Sequence, residues 1–316
     1  MLLGFDIGGT KCAVVTAERE GEGIRLLSRA QCPTDHSVPP EEMLDRLIAL
    51  AAPLVCRDTV EAIGVSCGGP LDPQAGVIQG PPNLPRWKHV EVVSLLSAHY
   101  GVPVRLQNDA NACALAEWKF GAGRGCDHLV FLTFGTGMGA GLILNGRLYL
   151  GANGNAGEVG HIRLEPDGPV GYGKAGSFEG FCSGGGLAQL GYTTALQRAA
   201  RGESPLYYRP GMEAGEVTAK SIAQAAEEGD ETARHIYQIC GEHLGRGLSV
   251  LMDILNPQRI IIGSIFTRAQ HLLWEAAKAV IEREALSRSA ACCDVVPAGL
   301  GEKIGDYAAI AAAFSE

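Results

Sequence analysis

The chain has little charge and few aromatic residues. Charged residues make up 19% and aromatic residues 6% of its 316 positions, whereas hydrophobic residues make up 46%. This balance excludes a disordered chain, because enough apolar surface is present to form a core. It predicts a soluble globular protein that is long enough for two domains.

Basic residues and long apolar runs are also scarce. The 26 Lys and Arg residues are outnumbered by 35 Asp and Glu residues, which gives a formal net charge of −9 at pH 7. A negative surface repels phosphate backbones and anionic lipids, so neither a nucleic acid nor a membrane is expected as a partner. The longest apolar runs, such as 248–255 and 308–314, are well below the ~20 residues that span a bilayer.

A secretion signal and a disulfide framework are missing as well. The segment from Met1 to Asp6 has no basic region and reaches an acidic residue within six positions, which predicts a cytoplasmic protein. The ten cysteines form no Cys-x-x-Cys motif and are scattered, apart from the adjacent Cys292 and Cys293. They are therefore predicted to be reduced and mostly in the core.

Strand and helix patterns alternate along the chain, which is typical of an α/β protein. The predicted strands are 2–5, 12–15, 62–65, 104–106, 129–133, 140–144 and 259–262. The predicted helices are one that opens at 37–42 and ends by Pro53, then 92–99, 110–119, 217–255 with a break at Gly229 and Asp230, 268–283 and 306–314.

Two clusters of glycine form hairpins of similar design. The first turn is Asp6-Ile7-Gly8-Gly9-Thr10-Lys11, and the second is Gly135-Thr136-Gly137-Met138-Gly139. A turn without side chains exposes backbone N–H groups that bind phosphate oxygens, and the hydroxyls of Thr10 and Thr136 add donors. We interpret them as one phosphate-binding turn in each half of the chain. The structural alternative is a tight hairpin that needs glycine only for its geometry.

Asp6 is placed to hold a hydrated Mg²⁺ beside these phosphates, since Mg²⁺ keeps most of its waters and takes one or two carboxylates. A plainer interpretation makes Asp6 the residue that initiates the turn. A dinucleotide-binding motif is not favoured, because Gly135-x-Gly137 precedes a strand pattern and not a helix. The sequence contains no P-loop motif.

Four motifs in order resemble the ROK family of sugar kinases and repressors. They are Asp6-x-Gly8-Gly9-Thr10-Lys11, Asn108-Asp109-Ala110-Asn111-Ala112, Gly135-Thr136-Gly137-x-Gly139 and Gly157-Glu158-x-Gly160-His161. The resemblance runs nearly end to end and includes Pro82-Asn83-Leu84-Pro85-x-Trp87, Gly263 and Leu300-Gly301.

The resemblance implies a two-domain, actin-like (ribonuclease H-like or hexokinase-like) α/β ATPase fold with a cleft between the domains. Residues 1–117, completed by 300–316, would form the smaller domain, and 118–299 the larger one. ATP would bind at the two glycine turns. The nucleotide-binding residues carried over are Asp6, Gly8, Gly9, Thr10, Lys11, Thr136, Gly137 and Gly263.

The same resemblance makes Asp109 the general base that accepts the proton of the attacking sugar hydroxyl. The alternative role for Asp109 is a helix N-cap. Asn108, Glu158, His161 and Glu179 would bind the sugar, because carboxylates, amides and imidazole suit hydroxyl groups. Asn83 is a weaker candidate of this kind, since a loop residue capping a turn among prolines explains it nearly as well.

The sequence departs from the family in two places. Most relatives carry a zinc site in the pattern Cys-x-Cys-Gly-x-x-Gly-Cys-x-Glu. In its place this chain reads Val170-Gly171-Tyr172-Gly173-Lys174-Ala175-Gly176-Ser177-Phe178-Glu179. Zinc is therefore not expected, and we expect packing of Val170 and Tyr172 to hold this loop instead. The segment Gly263-Ser264-Ile265 has less glycine than relatives place beside adenosine, which bears on nucleotide binding.

These features predict an ATP- and Mg²⁺-dependent kinase that phosphorylates a hydroxyl, O6, of a hexose or N-acetylhexosamine, with glucose as the first choice. The alternatives are a sugar-sensing ROK transcriptional regulator and a non-catalytic sugar-binding protein. A regulator would need a helix-turn-helix segment ahead of the first strand, for which Asp6 at position six leaves no room. A homodimer is expected because it is usual among relatives.

Overall fold

The computed structural model describes residues 1–56 and 59–315. Its strands are β1 (Leu2–Ile7), β2 (Lys11–Glu20), β3 (Gly23–Pro33), β4 (Ala62–Cys67), β5 (Leu71–Asp72), β6 (Val77–Ile78), β7 (Val104–Asn108), β8 (Leu129–Phe134), β9 (Met138–Leu144), β10 (Arg147–Leu148), β11 (Val170–Gly171), β12 (Lys174–Ala175), β13 (Arg259–Ile262) and β14 (Asp294–Pro297).

Its helices are α1 (Pro40–Ala51), α2 (Val92–Tyr100), α3 (Asp109–Phe120), α4 (Phe178–Phe181), α5 (Gly184–Ala199), α6 (Ala219–Glu227), α7 (Glu231–Leu255), α8 (Ile265–Glu284), α9 (Ser287–Ala291) and α10 (Ile304–Ala312). None of the helices within the described residues is long and apolar enough to pass through a membrane.

The chain divides into two compact units. The first consists of residues 1–127, 141–156 and 299–316, and the second of 128–140 and 157–298. These limits differ from the predicted ones, which placed the boundary at 117 and gave 141–156 to the second domain. Gly141 shows the reason: a Cβ there would lie 2.5 Å from the carbonyl oxygen of Ala110 in α3, so β9 passes directly over that helix.

Glu117 explains why all of α3 stays in the first unit. Its carboxylate is fully buried and accepts hydrogen bonds from the amides of Ala122, Gly299 and Leu300 at 2.7 to 3.1 Å. A buried carboxylate needs such partners. Glu117 therefore ties the end of α3 to the segment in which the chain returns to the first unit.

The first unit is built on a five-stranded sheet of order β3-β2-β1-β4-β7. β1 forms an antiparallel hairpin with β2 and pairs in parallel with β4, which in turn pairs in parallel with β7. Helix α10 lies directly on this sheet, because a Cβ at Gly4 or Gly64 would come within 2.9 or 2.1 Å of Ala309. Helices α1 and α2 contribute Leu47 and Leu96 to the main core of the unit.

A second five-stranded sheet has the order β10-β9-β8-β13-β14. β8, β13 and β14 are parallel neighbours, and β9 pairs antiparallel with β10. Both sheets thus follow one scheme, in which the first strand of a hairpin lies at the centre. The predicted repeat of the opening hairpin is confirmed at the level of topology.

Most predicted elements are present, with ends that shift by a few residues. The helical stretch 217–255 is divided into α6 and α7 around Gly229 and Asp230, as predicted. The elements β3, α5 and β14 were not predicted from the sequence, nor were the short elements β5, β6, β10, β11, β12, α4 and α9. Helix α5 was hidden because its first turn is Gly184-Gly185-Gly186, and glycine disfavours helix.

Candidate functional site

Polar contacts to its carbonyl oxygens hold the first glycine turn in place. The Thr34 hydroxyl donates to the carbonyl of Gly8 at 2.6 Å, and the Thr34 amide donates to that of Thr10 at 3.0 Å. The His36 ring nitrogen Nε2 lies 2.8 Å from the carbonyl oxygen of Gly9. These contacts support the path of the turn and leave its N–H groups out of these interactions.

Asp6, at the end of β1, lies among other carboxylates of the first unit. Burial, and then the charges of Asp109 and Asp306, raise the pKa of Asp6 from 3.8 to about 6, although Lys11 and Arg29 oppose the shift. Carboxylate oxygens are the donors that Mg²⁺ prefers, and a divalent cation would relieve this repulsion. The residues therefore fit the hydrated Mg²⁺ that the sequence predicts.

Asn108 and Asp109 lie at the junction of β7 and α3. The N-cap is Asn108, whose Oδ1 accepts from the amide of Ala110 at 3.0 Å. Asp109 is the first helical residue and is exposed, and its Oδ1 also accepts from the Ala110 amide, at 2.8 Å. The N-cap of α3, which was the alternative role predicted for Asp109, is therefore Asn108. The Asp109 carboxylate is accessible.

Asn83 lies against the first glycine turn. A Cβ added to Gly9 would approach the Cβ of Asn83 to 2.4 Å, so only glycine allows this approach. The loop around Asn83 is anchored by the buried side chains of Leu84 and Trp87. The amide side chain of Asn83 is exposed beside the turn.

In the second unit, Glu158 and His161 are carried by a segment that lies on β9. A Cβ at Gly157 would come within 2.0 Å of the Ala140 carbonyl oxygen, and one at Gly160 within 2.2 Å of that of Met138. The Ala140 amide donates to the Gly157 carbonyl at 2.8 Å. The two glycines of the motif are therefore explained by close contact of two backbones, with His161 exposed at its end.

Glu179, in α4, lies beneath the second glycine turn. Its Oε2 accepts from the amide of Met138 at 2.9 Å, and a Cβ at Gly137 would lie 2.7 Å from the same oxygen. The structure therefore places Glu179 in direct contact with the turn that the sequence assigned to phosphate. One carboxylate oxygen of this predicted sugar ligand is used to support that turn.

The N-terminus of α5 also contacts the second turn, a feature that the sequence analysis did not identify. The Gly184 amide donates to the Gly135 carbonyl at 2.7 Å, and Ser183 caps the helix through the amide of Gly186 at 2.9 Å. Positive helix N-termini attract phosphate. The run Ser183-Gly184-Gly185-Gly186 was the signal that could have revealed it.

Ser264 follows Gly263 and begins α8 in a backbone conformation that favours glycine. Its φ is 57° and its ψ is −110°. Side chains with a Cβ are strained in this region. This gives a physical reason for the glycine that relatives place near this position.

The loop 170–179 is held differently from our expectation. Val170 is 45% exposed and Tyr172 is 75% exposed, so their packing does not bury the loop. Polar contacts are present instead, including the ammonium of Lys174 on the His161 carbonyl at 2.7 Å. Among the described residues, no group of three His, Cys, Asp or Glu side chains is arranged to hold a metal ion. The absence of zinc remains a prediction.

Comparison with known proteins now identifies the family. A model of the ROK family matches residues 2–314. The chain belongs to the ROK family. A glucokinase of Streptomyces coelicolor is 31% identical over 307 residues, which cover 96% of this chain and 95% of the relative. The DNA-binding transcriptional dual regulator NagC of Escherichia coli is 31% identical over 251 residues, which cover 79% of this chain and 60% of the regulator.

A solved structure supports the same assignment for this ROK chain. The ROK family glucokinase from Streptomyces griseus, crystallised with glucose and AMPPNP, matches with a TM-score of 0.78 at 30% identity and covers 99% of each chain. The predicted fold class is therefore confirmed, since the two α/β units correspond to the actin-like ATPase fold of this ROK glucokinase.

Each unit of this ROK protein gathers its own share of the predicted residues. The first contains the turn 8–11 with Asp6, Asn83, Asn108 and Asp109. The second contains Thr136, Gly137, Glu158, His161, Glu179 and Gly263. Asp306, which raises the pKa of Asp6, was predicted only as the start of a helix.

Proposed function

We propose that this protein is an ATP-dependent sugar kinase that transfers the γ-phosphoryl group to O6 of a hexose or N-acetylhexosamine, with glucose as the first candidate. The observation that carries the proposal is the exposed carboxylate of Asp109, which lies near enough to Asp6, just before the first glycine turn, for its charge to raise the pKa of Asp6. The similarity to glucokinases over nearly the whole chain supports it.

In the first unit, Asp109 would accept the proton of the attacking sugar hydroxyl, a step that general-base catalysis accelerates by about 10²- to 10⁴-fold. Backbone N–H groups of the turn 8–11, with Thr10 and Lys11, would bind phosphate oxygens. Asp6 would hold Mg²⁺ through water, and the bound ion would neutralise charge on the phosphates.

In the second unit, Glu158 and His161 would bind sugar hydroxyls, since a carboxylate accepts from them and an imidazole both accepts and donates. The second glycine turn, at Thr136 and Gly137, would bind phosphate. Glu179 would support this turn through the Met138 amide and could accept from a sugar hydroxyl with its other oxygen.

The test is a coupled assay of ADP release with glucose, mannose, fructose, allose, N-acetylglucosamine and N-acetylmannosamine. We expect one or two sugars to stimulate ADP release strongly, with the phosphate recovered on O6 by NMR. The match to NagC makes a sugar-sensing regulator the second candidate. Sugar binding by calorimetry without ADP release for any of the six sugars would favour a regulator or a sugar-binding protein and overturn the kinase.

A further inference from the structure

The hairpin of β11 and β12 has an unusual turn. Gly171 pairs with Lys174, which leaves Tyr172 and Gly173 as the two turn residues, with φ values of 43° and 75°. Two-residue turns with positive φ at both positions favour Asn, Asp and Gly. The local conformation disfavours a tyrosine at the first of these positions. A contact made by its ring would explain why a tyrosine is present.

The ring of Tyr172 faces His161. The two ring centroids are 6.5 Å apart and the planes meet at 74°, which is an edge-to-face arrangement within the range of favourable aromatic pairs. The Tyr172 side chain is otherwise 75% exposed. Burial in a core therefore does not explain it.

Lys174, on the second strand of the same hairpin, makes an additional contact with His161. Its Nζ donates to the backbone carbonyl of His161 at 2.7 Å. Hydrogen bonds from a charged donor are short and stronger than neutral ones. One hairpin thus contacts His161 twice, at the ring and at the carbonyl.

The hairpin is itself anchored, which a positioning device requires. The side-chain amide of Gln189, in α5, pairs with Val170 in both directions: it accepts from the Val170 amide at 3.0 Å and donates to the Val170 carbonyl at 2.9 Å. Arg163, two residues after His161, donates to the Ala175 carbonyl at 2.8 Å. The hairpin is therefore fixed to α5 on one side and to the His161 segment on the other.

We propose that the β11–β12 hairpin is a clamp that positions His161 for the sugar, with Lys174 and Tyr172 as its two positioning residues. The proposal rests on the proposed function, in which His161 binds a sugar hydroxyl. Neither residue needs to touch the sugar. Both restrict His161 before the sugar arrives, which lowers the cost of ordering it on binding.

Lys174→Met tests the carbonyl contact, because it keeps the length of the side chain and removes the donor. We expect the KM for the best sugar of the panel to rise about tenfold, while the KM for ATP stays within about twofold. Lys174→Arg, which restores a cationic donor, should recover most of the loss. Lys220→Met, at an exposed lysine of α6 in the same unit, is the matched control and should behave as wild type.

Tyr172→Asn tests the ring contact separately from the stability of the fold. Asparagine suits the turn, so the melting temperature should stay the same or rise, while the sugar KM should increase by about two- to tenfold. A purely structural tyrosine would instead show a lower melting temperature and an unchanged sugar KM, and that result would overturn the role of its ring.

Amide hydrogen exchange of the protein without sugar tests the proposed clamp independently of activity. In Lys174→Met, the amides of 159–162 should exchange at least about fivefold faster than in wild type, because one of the bonds that restrain this segment is lost. Exchange and sugar KM both within twofold of wild type would overturn the clamp. If wild type phosphorylates none of the six sugars, the proposed function fails, and the exchange result still decides whether the hairpin restrains His161.

Discussion

The two glycine turns follow the central strands of two sheets that share one strand order, but their surroundings differ. Near the first turn, the charges of Asp109 and Asp306 act on the buried carboxylate of Asp6 and help to raise its pKa. Near the second, the carboxylate of Glu179 accepts a hydrogen bond from the turn itself, at the Met138 amide. Glycines of α5 also contact the second turn, through the amides of Gly184 and Gly185.

From this difference we infer that the two turns have different roles, although their backbones follow the same scheme. In the first unit, the carboxylates are concentrated at a cost in electrostatic energy, which is typical of sites where charge is needed for chemistry. In the second unit, the carboxylate helps to support the turn. We therefore expect substitutions near the first turn to change the chemical step, and those near the second to change binding.

The largest effect should come from replacing one carboxylate near each turn with an amide. Asp109→Asn should lower kcat by about 10²- to 10⁴-fold, because an amide cannot accept the proton. Glu179→Gln should leave kcat within about tenfold of wild type and raise KM. The amide oxygen can still accept a hydrogen bond from the turn, but it forms a weaker one than the carboxylate does. Steady-state kinetics measure both, with Asp45→Asn on the exposed side of α1 as the control. Equal losses of kcat for the two would erase the distinction between the turns.

A second pair of changes separates phosphate approach from packing within the second turn. A Cβ at Gly135 would meet only the Ser264 hydroxyl at 3.6 Å among the described atoms, whereas one at Gly137 collides with Glu179. A Cβ at position 135 would thus fit within the protein but obstruct an approaching phosphate. Gly135→Ala should therefore raise the KM for ATP about tenfold and leave the KM for sugar unchanged. Gly137→Val should raise both constants, because it displaces Glu179. An unchanged ATP KM in Gly135→Ala would mean that the second turn is only structural.

The carboxylates near the first turn should reduce stability in a pH-dependent way. The pKa of Asp6 is raised from 3.8 to about 6, so between these values the folded protein binds more protons than the unfolded chain, and stability falls as the pH rises from about 4 to about 6. Without nucleotide and Mg²⁺, Asp6→Asn should be more stable than wild type at pH 7 by up to about 3 kcal/mol. Urea unfolding at several pH values measures this.

At pH 4 the stability difference between Asp6→Asn and wild type should shrink to less than about 1 kcal/mol, because Asp6 is then neutral in the folded protein and only partly ionised in the unfolded chain. Asp45→Asn again serves as the control, with no gain expected at either pH. A gain for Asp6→Asn that is equal at pH 4 and pH 7 would contradict the electrostatic origin.

The smallest effect concerns Ser264 beside the second turn. Ser264→Gly should stabilise the protein by about 1 kcal/mol, since glycine relieves the strain at φ 57° while losing somewhat more entropy on folding. Thermal unfolding measures it. Asn256→Gly, at the left-handed C-cap of α7, is the control and should gain less, because asparagine tolerates that conformation. A loss of stability in Ser264→Gly would show that the serine is held by contacts worth more than the strain.

Local patterns predicted the fold well where the signal is local. The two hairpins, the strand from Arg259 to Ile262 and the break between α6 and α7 were all readable from glycine, apolar periodicity and caps. Helix α5 was not, because its glycines serve contacts with neighbouring backbone: a Cβ at Gly186 would lie 1.8 Å from the Gly180 carbonyl oxygen. Tertiary packing outweighs helix propensity there.

The sequence named candidate site residues but did not predict the contacts that they make. The resemblance pointed to Asp6, Asp109 and Glu179. That Asp306 acts on Asp6 across 300 positions, and that Glu179 bonds to the second turn, depends on long-range packing, which no sequence spacing encodes. The limits of the compact units differ from the predicted domain limits for the same reason, because the bonds of Glu117 to Gly299 and Leu300 span more than 180 positions.

Helix α10 has a consequence for how the protein is made. It covers β1 and β4 at Gly4 and Gly64 and belongs to residues 299–316, which the ribosome synthesises after the whole second unit. Once residue 298 has been synthesised, both segments of the second unit, 128–140 and 157–298, are present. At that stage the face of the first sheet that α10 covers is still open. Of the two units, the first is therefore completed after the second during translation.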